Sequence, residues 1–209
     1  GSGFRIAMRD LELRGAGNLL GPQQSGHLAN IGYDLYCKLL EEAVLEAQGE
    51  EPVRNRDIET RMDVHVNAYL PAEYVTGDRQ RLEVYKRIAS IRTAEQRDDI
   101  EDELIDRFGD EPQCVANLVA VAYLKALCMS LGIDRVLQAD GRMDMRFAGN
   151  AQVDGEKLFK ALQGFDKRLT LNASVPVTLS LRDRTLNKED MLHLTAKVME
   201  RLIDRMNRV

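Results

Sequence analysis

A glycine-rich segment near the start of the sequence carries two side chains suited to directional hydrogen bonding, Arg14 and Gln24. The guanidinium of an arginine pairs bidentately with a carboxylate or a phosphate, and a glutamine amide both donates and accepts. The glycines that follow Leu13 are Gly15, Gly17, Gly21, Gly26 and Gly32. They allow the backbone to turn sharply or to approach a partner closely. Because ordering such a loop costs conformational entropy, we expect a contact with a partner to offset that cost.

Two other interpretations of these glycines are open. Gly15 and Gly17 could begin a phosphate-binding loop, but Leu20 stands where the dinucleotide fingerprint requires a third glycine. No Gly-Lys-Ser/Thr sequence follows, so the nucleotide interpretation is disfavoured. A loop that packs only on its own helix is the remaining alternative to an interaction loop.

A second candidate site is a run of acidic residues from Glu95 to Asp106, interrupted by a single arginine, Arg97. Helical spacing aligns four carboxylates on one face, and a fifth lies beside them. These residues are Glu95, Asp99, Asp102 and Asp106, with Glu103 beside them. The apolar positions opposite are Ile100, Leu104 and Phe108. Either a solvated helix face or a docking surface for a basic partner would produce this pattern.

The cysteines and histidines do not form a pattern that is typical of a metal site or a nucleophilic enzyme. They are Cys37, Cys114, Cys128, His27, His65 and His193. A zinc site needs about four ligands at short paired spacings, and no CxxC motif is present. We therefore expect reduced cysteines, no bound metal and no catalytic residues in the chain itself.

The composition is typical of a globular protein and excludes several functions. Hydrophobic residues make up 44% and charged residues 30%, and the net charge of −5 argues against a surface that is basic all over. Aromatic residues are only 5%, too few to favour a platform for stacking single-stranded bases. No apolar run approaches the ~18 residues of a membrane span, and no leader is visible. We expect a cytoplasmic protein with no membrane partner.

The pattern of apolar residues predicts an α+β fold in two parts, a helical and glycine-loop segment over residues 1–50 and a mixed domain over 51–209. Helices and strands alternate irregularly, which disfavours a doubly wound sheet. The predicted helices cover 35–47, 78–89, 93–108, 112–131, 154–163 and 187–206. Asp78 and Asn187 can cap the helices at which they stand, and Thr93 and Gln96 have the spacing of a capping box. The predicted strands cover 62–68 and 175–181, together with a hairpin around Asp140-Gly141. In the helix over 154–163, we expect Leu158, Phe159 and Leu162 to face inward.

Several of these segments resemble a known family. RDLELRGAGNLLG (residues 9–21), followed by QSG (24–26), resembles the translocation motif shared by the branched-DNA helicase RecG and the bacterial transcription-repair coupling factors. The segments that resemble the coupling factors in particular are IGYDLY (31–36), LLEEAV (39–44), YKRIA (85–89) and ELIDRFG (103–109). The resemblance extends to about residue 112, and beyond that only the order of the predicted elements matches.

The resemblance implies that residues 1–50 transmit the motion of motor lobes to duplex DNA. Arg14 and Gln24 match the motif positions that would couple the two, and Arg9 would support them. In that family the parent protein is an ATP-dependent DNA translocase whose motor lobes bind ATP and Mg²⁺. The present sequence contains no Walker motif, so we expect no cofactor in this chain and no enzyme activity of its own.

The resemblance also implies a regulatory role for residues 51–209. The corresponding domain docks on the protein's own N-terminal UvrB-like module and masks the surface that recruits UvrA, while RNA polymerase is a further partner of the parent. The candidate docking residues are Glu103 and Asp106, with Asp99 and Asp102 on the same helix. From the residues alone, two alternatives stay open: a stand-alone adaptor that binds a basic partner through residues 95–106, and a free-standing enzyme, which lacks a convincing nucleophile–base pair.

Overall fold

The computed structural model describes residues 58–208, and these residues contain five helices and five strands. Arg9, Arg14, Gln24, the predicted helix over 35–47 and the predicted domain boundary after residue 50 all lie outside the described residues. Their roles stay predictions.

Helices and strands follow one another irregularly, which confirms the predicted α+β class. The helices are α1 (Asp78–Ala89), α2 (Ala94–Phe108), α3 (Gln113–Leu131), α4 (Gly155–Leu162) and α5 (Lys188–Arg208). The strands are β1 (Arg61–Asp63), β2 (Ile133–Ala139), β3 (Arg142–Phe147), β4 (Leu169–Asn172) and β5 (Thr178–Arg182).

The five strands form one sheet in the order β1-β2-β3-β5-β4. β1 runs parallel to β2, and the other neighbours are antiparallel. The predicted hairpin joins β2 to β3 through Asp140-Gly141, where Gly141 has a φ of 65°. Glycine adopts this positive φ without steric cost, so it suits the tight connection between the two strands.

The described residues divide into two compact units. One comprises residues 65–122 with α1 and α2, and the other comprises 58–64 and 123–208 with the sheet, α4 and α5. The chain passes from one unit to the other within α3.

The first unit buries one apolar face of each helix. Its fully or nearly fully buried side chains include Ile88, Ile91, Ile100, Leu104, Val115, Leu118 and Val119. The predicted inward positions of α2 are confirmed at Ile100 and Leu104, while Phe108 is only half-buried.

The alternating burial of Val64, Val66 and Ala68 is also confirmed, but the strand itself ends at Asp63.

The second unit packs α5 against one face of the sheet. Alternate residues of β3 and β5 point into this core, as the two-residue period of a strand requires. The buried side chains are Met143, Met145, Leu179, Leu181, Met191, Leu192, Val198, Met199 and Leu202. Asn187 caps α5 as predicted, since its side-chain oxygen accepts a hydrogen bond from the Asp190 amide at 2.8 Å.

Two expectations about this unit were wrong, and one strand was not predicted. The second predicted strand begins only at Thr178, and Val175, its predicted first residue, is 93% exposed. The aromatic ring expected to face inward from α4 instead faces solvent, with Phe159 62% exposed. The edge strand β4, a pairing partner of β5, was not anticipated.

The expectation that no segment is long and apolar enough to cross a membrane was also wrong. By length and composition alone, α3 passes that test among the described residues. However, 78% of its most apolar window is buried inside the protein. A core helix has the same composition, because it too is surrounded by apolar side chains.

Candidate docking surface on the acidic helix

The helix that carries the acidic run begins with two reciprocal capping hydrogen bonds between Thr93 and Gln96. Thr93 Oγ1 accepts a hydrogen bond from the Gln96 amide at 3.2 Å, and the Gln96 side chain accepts one from the Thr93 amide at 3.3 Å. This is the capping box that the sequence predicts. α2 ends where Gly109 takes a φ of 87°, a conformation that favours glycine.

The helix separates its apolar and acidic residues onto different faces. Ile100 and Leu104 are 6% and 2% exposed and belong to the core of the unit. Asp99, Asp102 and Asp106 are all exposed to solvent, at spacings of three and four residues. The structure therefore brings three of the four candidate carboxylates together on one face, as the helical spacing predicts.

The fourth candidate, Glu103, has a different environment. Its carboxylate forms an ion pair with Arg87 of α1, and Arg107 Nη1 lies 3.9 Å from its other oxygen. Two arginines thus already hold this carboxylate, which connects α1 to α2. We therefore assign Glu103 a positioning role beside the surface, and we define the acidic face as Asp99, Asp102 and Asp106.

The carboxyl end of α2 is fixed by an aromatic residue from the segment that precedes α1. The Tyr74 hydroxyl lies 3.2 Å from the carbonyl oxygen of Leu104 and 3.0 Å from that of Gly109, and it donates to these acceptors. The rings of Tyr74 and Phe108 are 5.7 Å apart between centroids, and the Arg107 guanidinium lies 4.9 Å from the Phe108 centroid. These contacts set the orientation of the last turn, which carries Asp106.

α1 is positioned by a buried arginine that the sequence pattern does not reveal. Arg81 is 5% exposed, and its Nη1 donates to the carbonyl oxygen of Val75 at 2.9 Å. Its Nη2 lies 2.6 Å from a carboxylate oxygen of Asp78. Asp78 was expected to cap α1, but Gly77 is the cap residue, and Asp78 pairs with Arg81 from within the first turn.

A second tyrosine anchors α1 to the extended segment that precedes it. The Tyr85 hydroxyl oxygen accepts a hydrogen bond from the Leu70 amide at 2.9 Å. Burial raises the pKa of Tyr85 to about 12, so this phenol stays protonated at any physiological pH.

A pair of glutamates next to the acidic face has perturbed ionisation. Burial, together with the smaller effect of the nearby charge of Glu101, raises the pKa of Glu111 to about 7. Burial also raises the pKa of Glu101 itself. One carboxylate oxygen of Glu111, Oε1, is buried without a hydrogen-bond partner. The sequence gives no signal for this pair, because the loop after α2 brings Glu111 back towards the helix.

Among residues 58–208, the structure shows no group of three or more histidine, cysteine or acidic side chains arranged to hold a metal ion. Cys128 is fully buried in α3, and burial raises the pKa of its thiol. The chemistry that the acidic face can perform is electrostatic attraction of a basic surface.

Comparison with known proteins places the chain in a family. A family model described as the TRCF domain matches residues 64–158, which include all of α2. The transcription-repair-coupling factor of Staphylococcus aureus (strain USA300) is 39% identical over 205 residues, covering 96% of this chain and 17% of that protein. The chain belongs to the transcription-repair coupling factor family. The match covers nearly the whole sequence and therefore includes the segments from which the resemblance was inferred.

One further relative agrees with this assignment to the coupling factors, and one solved structure has the same fold. The transcription-repair-coupling factor of Staphylococcus haemolyticus (strain JCSC1435) is 37% identical over 206 residues, covering 98% of this chain and 16% of that protein. The chain thus spans about a sixth of the length of these curated relatives. A crystal structure of the C-terminal domain of a transcription-repair coupling factor matches with a TM-score of 0.62 at 24% identity, covering 72% of this chain and 95% of that one. This last likeness shows that the fold is shared.

Proposed function

We propose that this chain is the C-terminal part of an ATP-dependent DNA translocase that couples transcription to nucleotide excision repair. The relatives' name and the shared fold support this proposal. In it, residues 1–50 are the translocation segment and residues 51–209 are the regulatory domain. The motor lobes of the parent bind ATP and Mg²⁺, and RNA polymerase and duplex DNA are partners of the whole protein.

The regulatory part of the proposal assigns a partner to the acidic face. Asp99, Asp102 and Asp106 dock on a basic surface of the parent's own UvrB-like module and thereby mask the site that recruits UvrA. The observation that carries this proposal is the exposure of all three carboxylates on a helix whose two ends are fixed. Exposed ion pairs contribute only about 0–1 kcal/mol each, so a contact made of three of them is reversible.

A charge reversal in the full-length parent protein tests this docking surface. Asp102→Lys combined with Asp106→Lys should open the clamp and increase the amount of UvrA recovered with the parent in a pull-down. A matched control reverses two exposed acids elsewhere, Glu83 on α1 and Asp204 on α5, with the same change in net charge. Recovery that does not increase, or that increases equally in the control, would reject the acidic face as the mask and favour an adaptor for some other basic partner.

Glu103 needs a separate variant, because its reversal to lysine would place a third cation beside Arg87 and Arg107. Such a variant would disturb the packing of α1 on α2 as well as the surface charge. Glu103→Gln changes the charge without this repulsion. We expect it to alter UvrA recovery less than the paired reversal of Asp102 and Asp106.

The translocation part of the proposal rests on Arg14 and Gln24, with Arg9 in support. In the full-length parent, Arg14→Ala should leave most ATP hydrolysis intact and impair translocation, because it removes the coupling contact and not the nucleotide site. The assay measures ATP hydrolysis and the displacement of a DNA-bound polymerase with the same preparation. Unchanged displacement would contradict the proposal.

A further inference from the structure

The face of the sheet opposite α5 carries five arginines in two rows. Strand register puts Arg61 opposite Arg135, and Arg135 opposite Arg146, so that three arginines cross three neighbouring strands. A second row puts Arg142 opposite Arg182. We call these five residues the arginine face.

The side chains of the arginine face point to solvent. Arg61, Arg135, Arg142 and Arg146 are 66%, 39%, 43% and 41% exposed, and Arg182 is exposed as well. The residues that alternate with them point into the core. Those buried neighbours include Met62, Val136, Met143, Met145 and Leu181.

Placing like charges directly opposite each other across strands is destabilising, and carboxylates offset part of the cost here. Asp63 accepts hydrogen bonds from Nε of Arg61 at 3.2 Å and from Nε of Arg135 at 3.1 Å. Asp134 accepts from Nε of Arg146 at 3.0 Å.

The second row has one carboxylate of its own, and the whole face keeps a positive charge. Asp144 lies 3.0 Å from Nε of Arg142, and its other oxygen accepts a hydrogen bond from the Ser180 hydroxyl. Five arginines against three aspartates leave a local excess of two positive charges, on a chain whose net charge is −5. The arginine face is therefore a local basic surface on an acidic protein.

The hydrogen bonds orient these guanidiniums in one particular way. Arg61, Arg135 and Arg146 are each held through Nε, and within residues 58–208 their terminal Nη groups have no acceptor. Each side chain is thus anchored at its inner nitrogen, while its outer pair of donors faces solvent. A guanidinium held in this way can bind a phosphate without losing its carboxylate contact.

We propose that the arginine face binds the phosphate backbone of double-stranded DNA. Arg142 and Arg146 are four residues apart on β3, so the two rows are separated by roughly 13 Å at the usual rise of a strand. This is close to the ~12 Å width of the major groove, and the two rows can contact the two strands that flank one groove. Bidentate arginine–phosphate pairs would offset the repulsion between the facing arginines.

Two features of the face favour a duplex over other acidic partners. The face contributes no aromatic side chain from its strands, whereas proteins that bind single strands stack bases on aromatic rings. Protein interfaces are anchored by buried aromatic or apolar residues, and on these strands the positions between the two rows offer only Leu137 as a large apolar side chain. The proposal concerns the sheet and is independent of the docking function assigned to α2.

The test uses the 209-residue chain and a fluorescein-labelled duplex DNA, with binding followed by fluorescence anisotropy over a range of salt concentrations. The variant combines Arg61→Gln, Arg146→Gln and Arg182→Gln. We expect it to bind at least ~10-fold more weakly at low salt, and we expect the slope of log affinity against log salt to fall by nearly 3, since each duplex phosphate contact contributes ~0.9. A thermal melt checks that the variant is folded.

A matched control removes the same charge from exposed cations off the face, with Arg79→Gln, Lys157→Gln and Lys197→Gln. We expect this control to bind within about twofold of the wild type, because contacts to phosphates are local. Equal losses in the two triple variants would show that only net charge matters and would overturn the proposal.

Two further arms distinguish DNA binding by the arginine face from binding through residues 1–50 and from attraction to any polyanion. If Arg14→Ala abolishes duplex binding and the sheet variant does not reduce it, residues 1–50 hold the DNA and the proposal is wrong. The proposal is also wrong if polyglutamate displaces the labelled duplex as well as unlabelled duplex does, because the face then recognises acidic polypeptides. Neither result bears on UvrA recovery with the α2 variants, so failure here is distinguishable from failure of the proposed function.

Discussion

Glu103 shows how one residue of a charged run can differ in role from its neighbours. Its carboxylate is held by Arg87 and Arg107, whereas Asp102 and Asp106 face solvent. Helical spacing predicts which residues share a face, but a partner on another helix depends on how α1 packs against α2, which is a tertiary property. The sequence therefore predicts the acidic face and gives no signal for the ion pair within it.

A double-mutant cycle measures the ion pair between Glu103 and Arg87. Both side chains are partly exposed, so we expect a coupling free energy of about 0.5–1 kcal/mol from urea melts of Glu103→Gln, Arg87→Gln and the double variant. The coupling should shrink in high salt, because exposed charges are screened. Coupling indistinguishable from zero at low salt would show that the pair does not connect the two helices.

Glu111 should make the stability of the protein depend on pH. Its pKa is about 7 in the folded chain and 4.5 as its ordinary value, so between these limits the folded state binds more protons than the unfolded state. The free energy of unfolding therefore falls as the pH rises through this window. Glu111→Gln removes this effect. Between about pH 5 and about pH 8, we therefore expect the free energy of unfolding of the wild type to fall relative to that of the variant.

Comparing the wild type with Glu111→Gln separates the effect of Glu111 from that of other groups that titrate in the same pH range. Burial lowers the pKa of His193, which has the opposite effect on the pH dependence, but His193 is present in both proteins and cancels. Thermal melts at several pH values provide the measurement. Parallel profiles for the two proteins would mean that Glu111 ionises normally.

α3 is followed by Gly132, where both the backbone conformation and the lack of space exclude a side chain. Gly132 has a φ of 79°, and a Cβ added there would lie 2.7 Å from Cβ of Ala151. Gly164 has a φ of 62° but open space around it, so Gly164→Ala isolates the cost of the backbone conformation. We expect Gly164→Ala to lower the free energy of unfolding by about 1–2 kcal/mol, and Gly132→Ala by a further 1–3 kcal/mol or so.

Urea unfolding of the two alanine variants gives this comparison directly. The extra loss at Gly132 measures the steric clash with Ala151, because the two sites share the strain of a left-handed backbone. Equal losses at both glycines would show that the chain around residue 151 relaxes to accommodate the methyl group.

The elements that the sequence predicts correctly are those whose signals are local. The capping box at Thr93, the cap at Asn187 and the turn at Asp140-Gly141 each depend on residues within a few positions, and all three are confirmed. The failures depend on distant parts of the chain. Phe159 has the periodicity of a buried residue, yet no element of the second unit covers it.

Strand pairing shows the same limit. β4 is only four residues long and acquires its partner, β5, through tertiary structure. The rows of the arginine face are invisible in the sequence for the same reason, since Arg61 and Arg135 are far apart in the chain and become neighbours only through the register of β1 on β2. The net charge of −5, counted over the whole sequence, gives no sign of this local basic surface.

Across the whole molecule, the described residues carry two surfaces of opposite charge on different units. The acidic face belongs to residues 65–122, and the arginine face belongs to the unit built around the sheet. The first is the proposed mask on the UvrB-like module, and the second is the proposed contact with duplex DNA. Family membership limits the class of protein, but the assignment of each surface depends on the exposure and pairing of its own side chains.

Docking of the acidic face on the parent's own UvrB-like module can be measured as an affinity. The 209-residue chain is titrated against that isolated module and compared with the variant that combines Asp99→Lys, Asp102→Lys and Asp106→Lys. We expect the wild-type chain to bind, salt to weaken the complex, and the variant to lose binding while melting at a similar temperature. Equal affinity of the variant and the wild type for the module would show that the acidic face is not the docking surface.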